Sequence, residues 1–194
     1  LVRSRGLGDV YKRQVCNNAD PGGLFADAWT EHQVQLCQLQ MLRVQPQAGV
    51  ALQGSVMGDL SLVRYEGYSA LPEAAALRAE LERDEAESLA HGIHLIAVQS
   101  ADGSLVVGDS HHYGPAPSPF ASEAVDRLML RHLREALHLE GDHVVERWVG
   151  TYPVSLDAPC LVKAPDDATR VVAVTSGSGA STAFGLAEEV WSGW

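Results

Sequence analysis

The chain has 194 residues, 46% of them hydrophobic and 20% charged, with a formal net charge of −11. That composition suits a globular protein of one large domain or two small ones. So acidic a balance excludes a general nucleic-acid or anionic-membrane surface, which needs clustered Lys and Arg, and no apolar run has the length of a membrane span.

Residues 1–14 carry Arg3, Arg5, Lys12 and Arg13 without an initiator Met or the apolar stretch of a signal peptide. Gly8-Asp9-Val10-Tyr11-Lys12-Arg13-Gln14 resembles the translation of a sequencing adapter read into the frame, so this segment is expected to be non-native; the alternative is a basic arm. Leu36–Val44 partly alternates apolar and polar residues and predicts a strand ended by Pro46. Val50–Val56 predicts a weaker strand and Leu60–Tyr65 a third. Leu71, Ala75, Leu77, Leu81, Ala86 and Leu89 lie at helical spacing, with Pro72 near the start and Gly92 as the stop. His94–Gln99 and Ser104–Gly108 flank Ala101-Asp102-Gly103 and predict a hairpin. Pro115, Pro117 and Pro119 stiffen a loop. Ser122 then caps an amphipathic helix marked by Val125, Leu128, Met129, Leu133 and Leu137. Val144–Val154 predicts a long strand, and Pro165-Asp166-Asp167 a turn. Val171–Thr175, Ser176–Ser181 and Thr182–Trp191 read as strand, glycine turn and helix. The mixed order predicts an α+β fold, a mostly antiparallel sheet with packed helices, closed by a strand–turn–helix of a different kind.

Three stretches carry groups suited to chemistry. Ser176-Gly177-Ser178-Gly179 puts the open N–H groups of a helix start at the carboxyl end of a strand, where α/β proteins hold anionic or electron-rich ligands; the plain alternative is a strand-to-helix turn. Val106-Val107-Gly108-Asp109-Ser110-His111-His112-Tyr113 sets polar side chains just past an apolar strand, as a pocket wall would. Its adjacent histidines do not share a strand face and the others are scattered, so no metal is expected. Arg147, in Glu146-Arg147-Trp148-Val149-Gly150, can offer a guanidinium fork to a carboxylate or phosphonate, or form a structural ion pair; Arg64 beside Tyr65 carries the same two readings. No Gly-x-Ser-x-Gly elbow, P-loop or Gly-x-Gly-x-x-Gly motif is present. Cys16, Cys37 and Cys160 include no Cys-x-x-Cys pair, and reduced thiols in a cytoplasmic protein are the simplest account.

Four segments in order resemble the C-terminal half of FAD-dependent oxidoreductases of the D-amino-acid oxidase and glycine oxidase superfamily. They are Cys37–Pro46, Leu105–Ser110, Arg147–Pro153 and Thr175–Gly185. His111-His112-Tyr113 and the Leu39–Arg43 run are most similar to the subfamily associated with phosphonate breakdown. The resemblance implies a partial FAD-binding domain over 15–44, a substrate domain over 45–155 and a return to the FAD-binding domain over 156–194. It implies oxidation of the C–N bond of a small amine, an amino acid or aminoalkylphosphonate, by hydride transfer to FAD. The family's opening dinucleotide motif is absent here, so the chain is expected to be an inactive portion of the enzyme. Gly177, Ser178, Gly179, Ala180 and Ser181 would face the flavin. Arg147 and Arg64 would clamp the substrate anion, and Tyr65, His111, His112 and Tyr113 would line the pocket. No residue is assigned a catalytic role. The alternative function is a non-catalytic α+β domain that binds a small anion or a protein.

Overall fold

The computed structural model describes residues 12–17, 19–47 and 50–193. Most of the adapter-like segment, residues 1–11, therefore lies outside the described residues. Two compact units divide the chain: residues up to Cys37 together with those from Thr151 onward, and Gln38–Gly150. The architecture is α+β with mostly antiparallel pairing.

In the central unit, strands follow the order β3 (Val56–Met57), β4 (Ile96–Gln99), β5 (Leu105–Gly108), β2 (Gln35–Pro46) and β6 (His112–Gly114), and β7 (Asp142–Val154) also pairs with β2. Strand geometry sends alternate side chains to opposite faces. In β2 it buries Gln40, Leu42, Val44 and Pro46 while Arg43 turns the other way. Leu42 and Val44 meet Leu95, Ala97, Leu105 and Val107 from the hairpin. Helix α5 (Glu123–Ala136) closes this core with Val125, Leu128, Met129 and Leu133, the stripe its sequence announces. Each such side chain contributes about 1.5–3 kcal/mol by leaving water.

The Asp102-Gly103 hairpin forms as expected. Gly103 takes a left-handed φ of 84°, and Asp102 Oδ1 accepts from the amide (2.9 Å) and hydroxyl (2.6 Å) of Ser104. Gly92 also has a left-handed φ, 58°. It ends the helical region in a Schellman motif, its amide donating to Leu89 and that of Ile93 to Ser88.

Several expectations are corrected. Leu60–Tyr65 is no strand: Asp59–Val63 is a 3-10 helix. Leu60 and Val63, three apart, are buried, whereas Leu62 is 40% exposed; alternation would have grouped Leu60 with Leu62. Of Val50–Val56, only Val56 enters a strand. Upstream, the Gln99 side chain replaces a ladder, accepting from Leu52 N and donating to Val50 O, both at 2.9 Å. The expected Leu71–Leu89 helix is two pieces, α3 (Ala74–Asp84) and α4 (Ala86–Ala90), separated at Glu85, and a short helix α2 (Glu66–Ser69) precedes them. Ser122 stands at the N-cap of α5 but its side chain makes no capping bond. Its backbone N–H and C=O instead bond the buried Gln40 amide, both at 2.8 Å.

The other unit is built on a three-stranded sheet, β1 (Arg13–Val15), β9 (Thr169–Val174) and β8 (Cys160–Asp166). β1 runs parallel to β9 and β8 antiparallel. The Asp166 carboxylate shapes the β8–β9 turn by accepting from Ala168 N and Thr169 Oγ1. Helix α1 (Ala26–Glu31) places Ala28 and Trp29 over Leu161, Val171 and Ala173. The terminal helix α6 (Gly179–Ser192) starts three residues before the expected Thr182. No helix among the described residues is long and apolar enough to cross a membrane.

Candidate functional site

Polar groups gather at one end of the β4–β5 hairpin. His94 and Asp109 exchange both backbone hydrogen bonds (2.9 and 2.8 Å), which makes them a directly opposed pair. The next pair along the ladder is Ile96 with Gly108, so Leu95 is one extra residue on the β4 side. Such a bulge re-aims neighbouring side chains. Here it puts His94 Nδ1 3.1 Å from Asp109 Oδ1. A carboxylate only accepts, so His94 is the Nδ1–H tautomer. The His94 side chain is 2% exposed, and its Nε2 is buried without a partner.

His111 comes next. Its Nδ1 donates to Gly92 O at 2.9 Å and lies 3.8 Å from Asp109 Oδ1. Burial pushes its pKa down to about 4 against the pull of Asp109, so the ring is neutral at pH 7. The approach is so close that a Cβ on Gly92 would stand 2.9 Å from the His111 Cβ. That contact and the left-handed φ together require glycine. The His111 ring stacks on Tyr113, and Tyr65 meets the His94 ring edge-on at 5.0 Å. Arg64 Nη2 donates to the Tyr113 hydroxyl at 2.7 Å. The Tyr65 hydroxyl is held above its usual pKa range by burial and by Asp109, with Arg64 opposing.

The fold thus brings together Arg64, Tyr65, His111 and Tyr113. His112 pairs with His91 at 3.2 Å, and its pKa is lowered by burial and by His91. Arg147, on β7, is tied to a different partner: its Nε donates to Asp126 Oδ2 at 2.6 Å, and Asp126 also accepts from Gln40. The Arg147 side chain remains 52% exposed. Among the described residues no three His, Cys, Asp or Glu side chains assemble as metal ligands.

Sequence reasoning singled out neither His94 nor His91, and held Asp109 only as one of several pocket-wall residues. The Asp-Gly turn is the signal that finds the first and last. Counting back along both strands brings the residues before β4 opposite those after β5, to within one position.

In the other unit, β9 ends at Val174 and α6 starts at Gly179. Ser181 and Thr182 amides donate to Ser178 O, which leaves Gly179 and Ala180 at the head of the helix, where no intrahelical carbonyl can accept from them. Gly177, Ala180 and Ser181 are exposed. Neither Gly177 nor Gly179 has a positive φ. An added Cβ would meet Tyr152 Oη at 3.6 Å or the Val174 Cβ at 3.7 Å, both ordinary contacts.

No protein-family model and no curated protein matches the sequence. Among solved structures, the fold is similar to glycine oxidase from Geobacillus kaustophilus, with a TM-score of 0.51 and 16% identity. The match covers 75% of this chain and 31% of that protein, so the chain spans about a third of the oxidase's length. The likeness establishes that the described chain shares its fold with part of a glycine oxidase.

Proposed function

We propose that this sequence belongs to an FAD-dependent oxidoreductase that oxidises the C–N bond of a small amine, an amino acid or an aminoalkylphosphonate, as in the phosphonate-associated subfamily it resembles. The observation that carries the reading is the turn before α6. Backbone geometry and protein packing ask for glycine at neither Gly177 nor Gly179. A ligand lying close across the helix start does, because any side chain there would hold it off. The likeness to part of a glycine oxidase supports the same reading.

The small residues Gly177–Ser181, exposed at Gly177, Ala180 and Ser181, fit a flat, electron-rich ring edge. The open Gly179 and Ala180 amides and the helix dipole would stabilise negative charge on that edge. Bound flavin would supply the two-electron acceptor; the protein's part is to bind, orient and tune. Arg64, with the Tyr113 hydroxyl it holds, would receive the substrate's carboxylate or phosphonate. Arg147 would assist while Asp126 fixes its Nε. Tyr65, His111 and His112 would line the pocket, His111 as a neutral acceptor.

The test is the complete protein carrying this sequence. It should purify yellow, and its flavin absorbance should bleach anaerobically with glycine or aminomethylphosphonate. Gly179→Val should weaken FAD binding without unfolding the protein. A colourless protein with no affinity for FAD sinks the reading.

A further inference from the structure

Asp109 is the acidic group among these polar side chains, and its environment is built around one oxygen. Oδ1 takes the 3.1 Å bond from His94 and the 3.8 Å approach of His111. His94 is a committed partner: 2% exposed, its Nδ1–H spent on Asp109 and its Nε2 touching no polar group. The carboxylate keeps 15% exposure, so Oδ2 is the oxygen left for a ligand. His111 does not cancel the charge, because its Nδ1–H goes to Gly92 O. Asp109 lies 3.8 Å from the His111 ring, His111 stacks on Tyr113, and the Tyr113 hydroxyl accepts from Arg64, which sets a negative and a positive group at either end of one ring stack.

We propose that Asp109 is the ammonium-binding residue of this site, that buried His94 positions its carboxylate, and that with Arg64 it selects small zwitterions over simple anions or simple amines. The ammonium donates to Oδ2 while the anionic end meets Arg64 and the Tyr113 hydroxyl. The inference takes from the proposed function only that the ligand is a small amine.

The experiment needs no flavin. The chain, labelled with 15N, is titrated separately with glycine, acetate and methylamine and followed by amide shifts. Glycine should bind saturably and tighter than either half-ligand, moving the amides of Asp109, Arg64 and Tyr65. A charge-assisted hydrogen bond is worth about tenfold to a hundredfold in affinity. Asp109→Asn should weaken glycine by that factor without weakening acetate, because the change removes a charge that repels a simple anion. His94→Ala should do the same, whereas His94→Asn, which restores an N–H near the Nδ1 position, should recover glycine binding. A residue that merely supports the fold would weaken both ligands together. Asp109→Asn binding glycine like the wild type, losing acetate in parallel, or a wild type with no saturable glycine site overturns the proposal. A colourless complete protein would overturn the flavin reading and leave these affinities as they are.

Discussion

Glu85 sits where the expected long helix breaks, and replacing it by Gln tests why. Its carboxylate grips Arg131 of α5 through two bonds, Oε1 to Nη1 at 2.7 Å and Oε2 to Nη2 at 2.5 Å, and Oε2 accepts from Ser88 at 2.8 Å. The Arg131 guanidinium, aided by the Ser88 hydroxyl against the cost of burial, holds the Glu85 pKa down at about 2 instead of 4.5. At about 1.4 kcal/mol per pH unit this corresponds to roughly 3 kcal/mol. Arg131 is 40% exposed, so solvent screening reduces the expected contribution to about 1–2 kcal/mol. Because the folded pKa is depressed, the contribution is complete above pH 4.5 and disappears as pH falls towards 2. Urea denaturation followed by circular dichroism should place Glu85→Gln about 1–2 kcal/mol below wild type at pH 7, with the curves converging near pH 2. An equal stability at pH 7, or a gap that persists at pH 2, refutes the argument.

Gly92→Ala and Gly103→Ala separate backbone strain from crowding. Both positions have positive φ, costing an alanine about 1–2 kcal/mol, but only at Gly92 does the new Cβ strike His111. Gly92→Ala should therefore melt lower than Gly103→Ala and shift the His111 imidazole resonances. His111 should titrate near pH 4 by NMR. Its depressed pKa adds stability that is complete above pH 6.5 and is lost as pH falls towards 4, and titration at 6.5 would remove the burial argument. Leu133→Ala, at a site with 0% exposure, should cost about 2–5 kcal/mol in denaturant; a loss below 1 would mean α5 does not seal the core.

The fold was legible where one signal dominated. β2, the Asp102-Gly103 hairpin, α5 and the β9–α6 succession could all be read from periodicity and turn residues. Errors arose where side chains did the work of backbone. Gln99 takes the place of a strand partner for Val50 and Leu52. Asp59 turns the chain by accepting from Leu60 N, converting an apparent apolar strand into a 3-10 turn. Glu85 interrupts a regular helical stripe because its carboxylate is bound on another helix. β8 escaped notice because Lys163, Pro165 and Asp166 are charged or turn-forming and its pairing with β9 is what makes it a strand.

The site divides in the same way. Arg64, Tyr65, His111 and Tyr113 could be chosen from residue chemistry, since a guanidinium and aromatic rings are conspicuous, although Arg64 and Tyr65 follow a 3-10 helix and not the expected strand. The acid beside them could not be ranked, because Asp109 acquires its setting from a bulge that no local pattern encodes. Without Leu95 as the extra residue, the ladder from Ile96–Gly108 would continue to Leu95–Asp109 and set an apolar side chain against the carboxylate. With it, a buried imidazole stands there instead. Deleting Leu95 should therefore return Leu95's neighbours to regular pairing and place His94 opposite Asp109 without the bulge, whereas inserting one residue after Leu95 should separate the pair. The insertion should abolish glycine binding while the hairpin amides beyond Ile96 stay protected from exchange. Retained glycine binding in a folded insertion variant would show that Asp109 does not need His94 beside it.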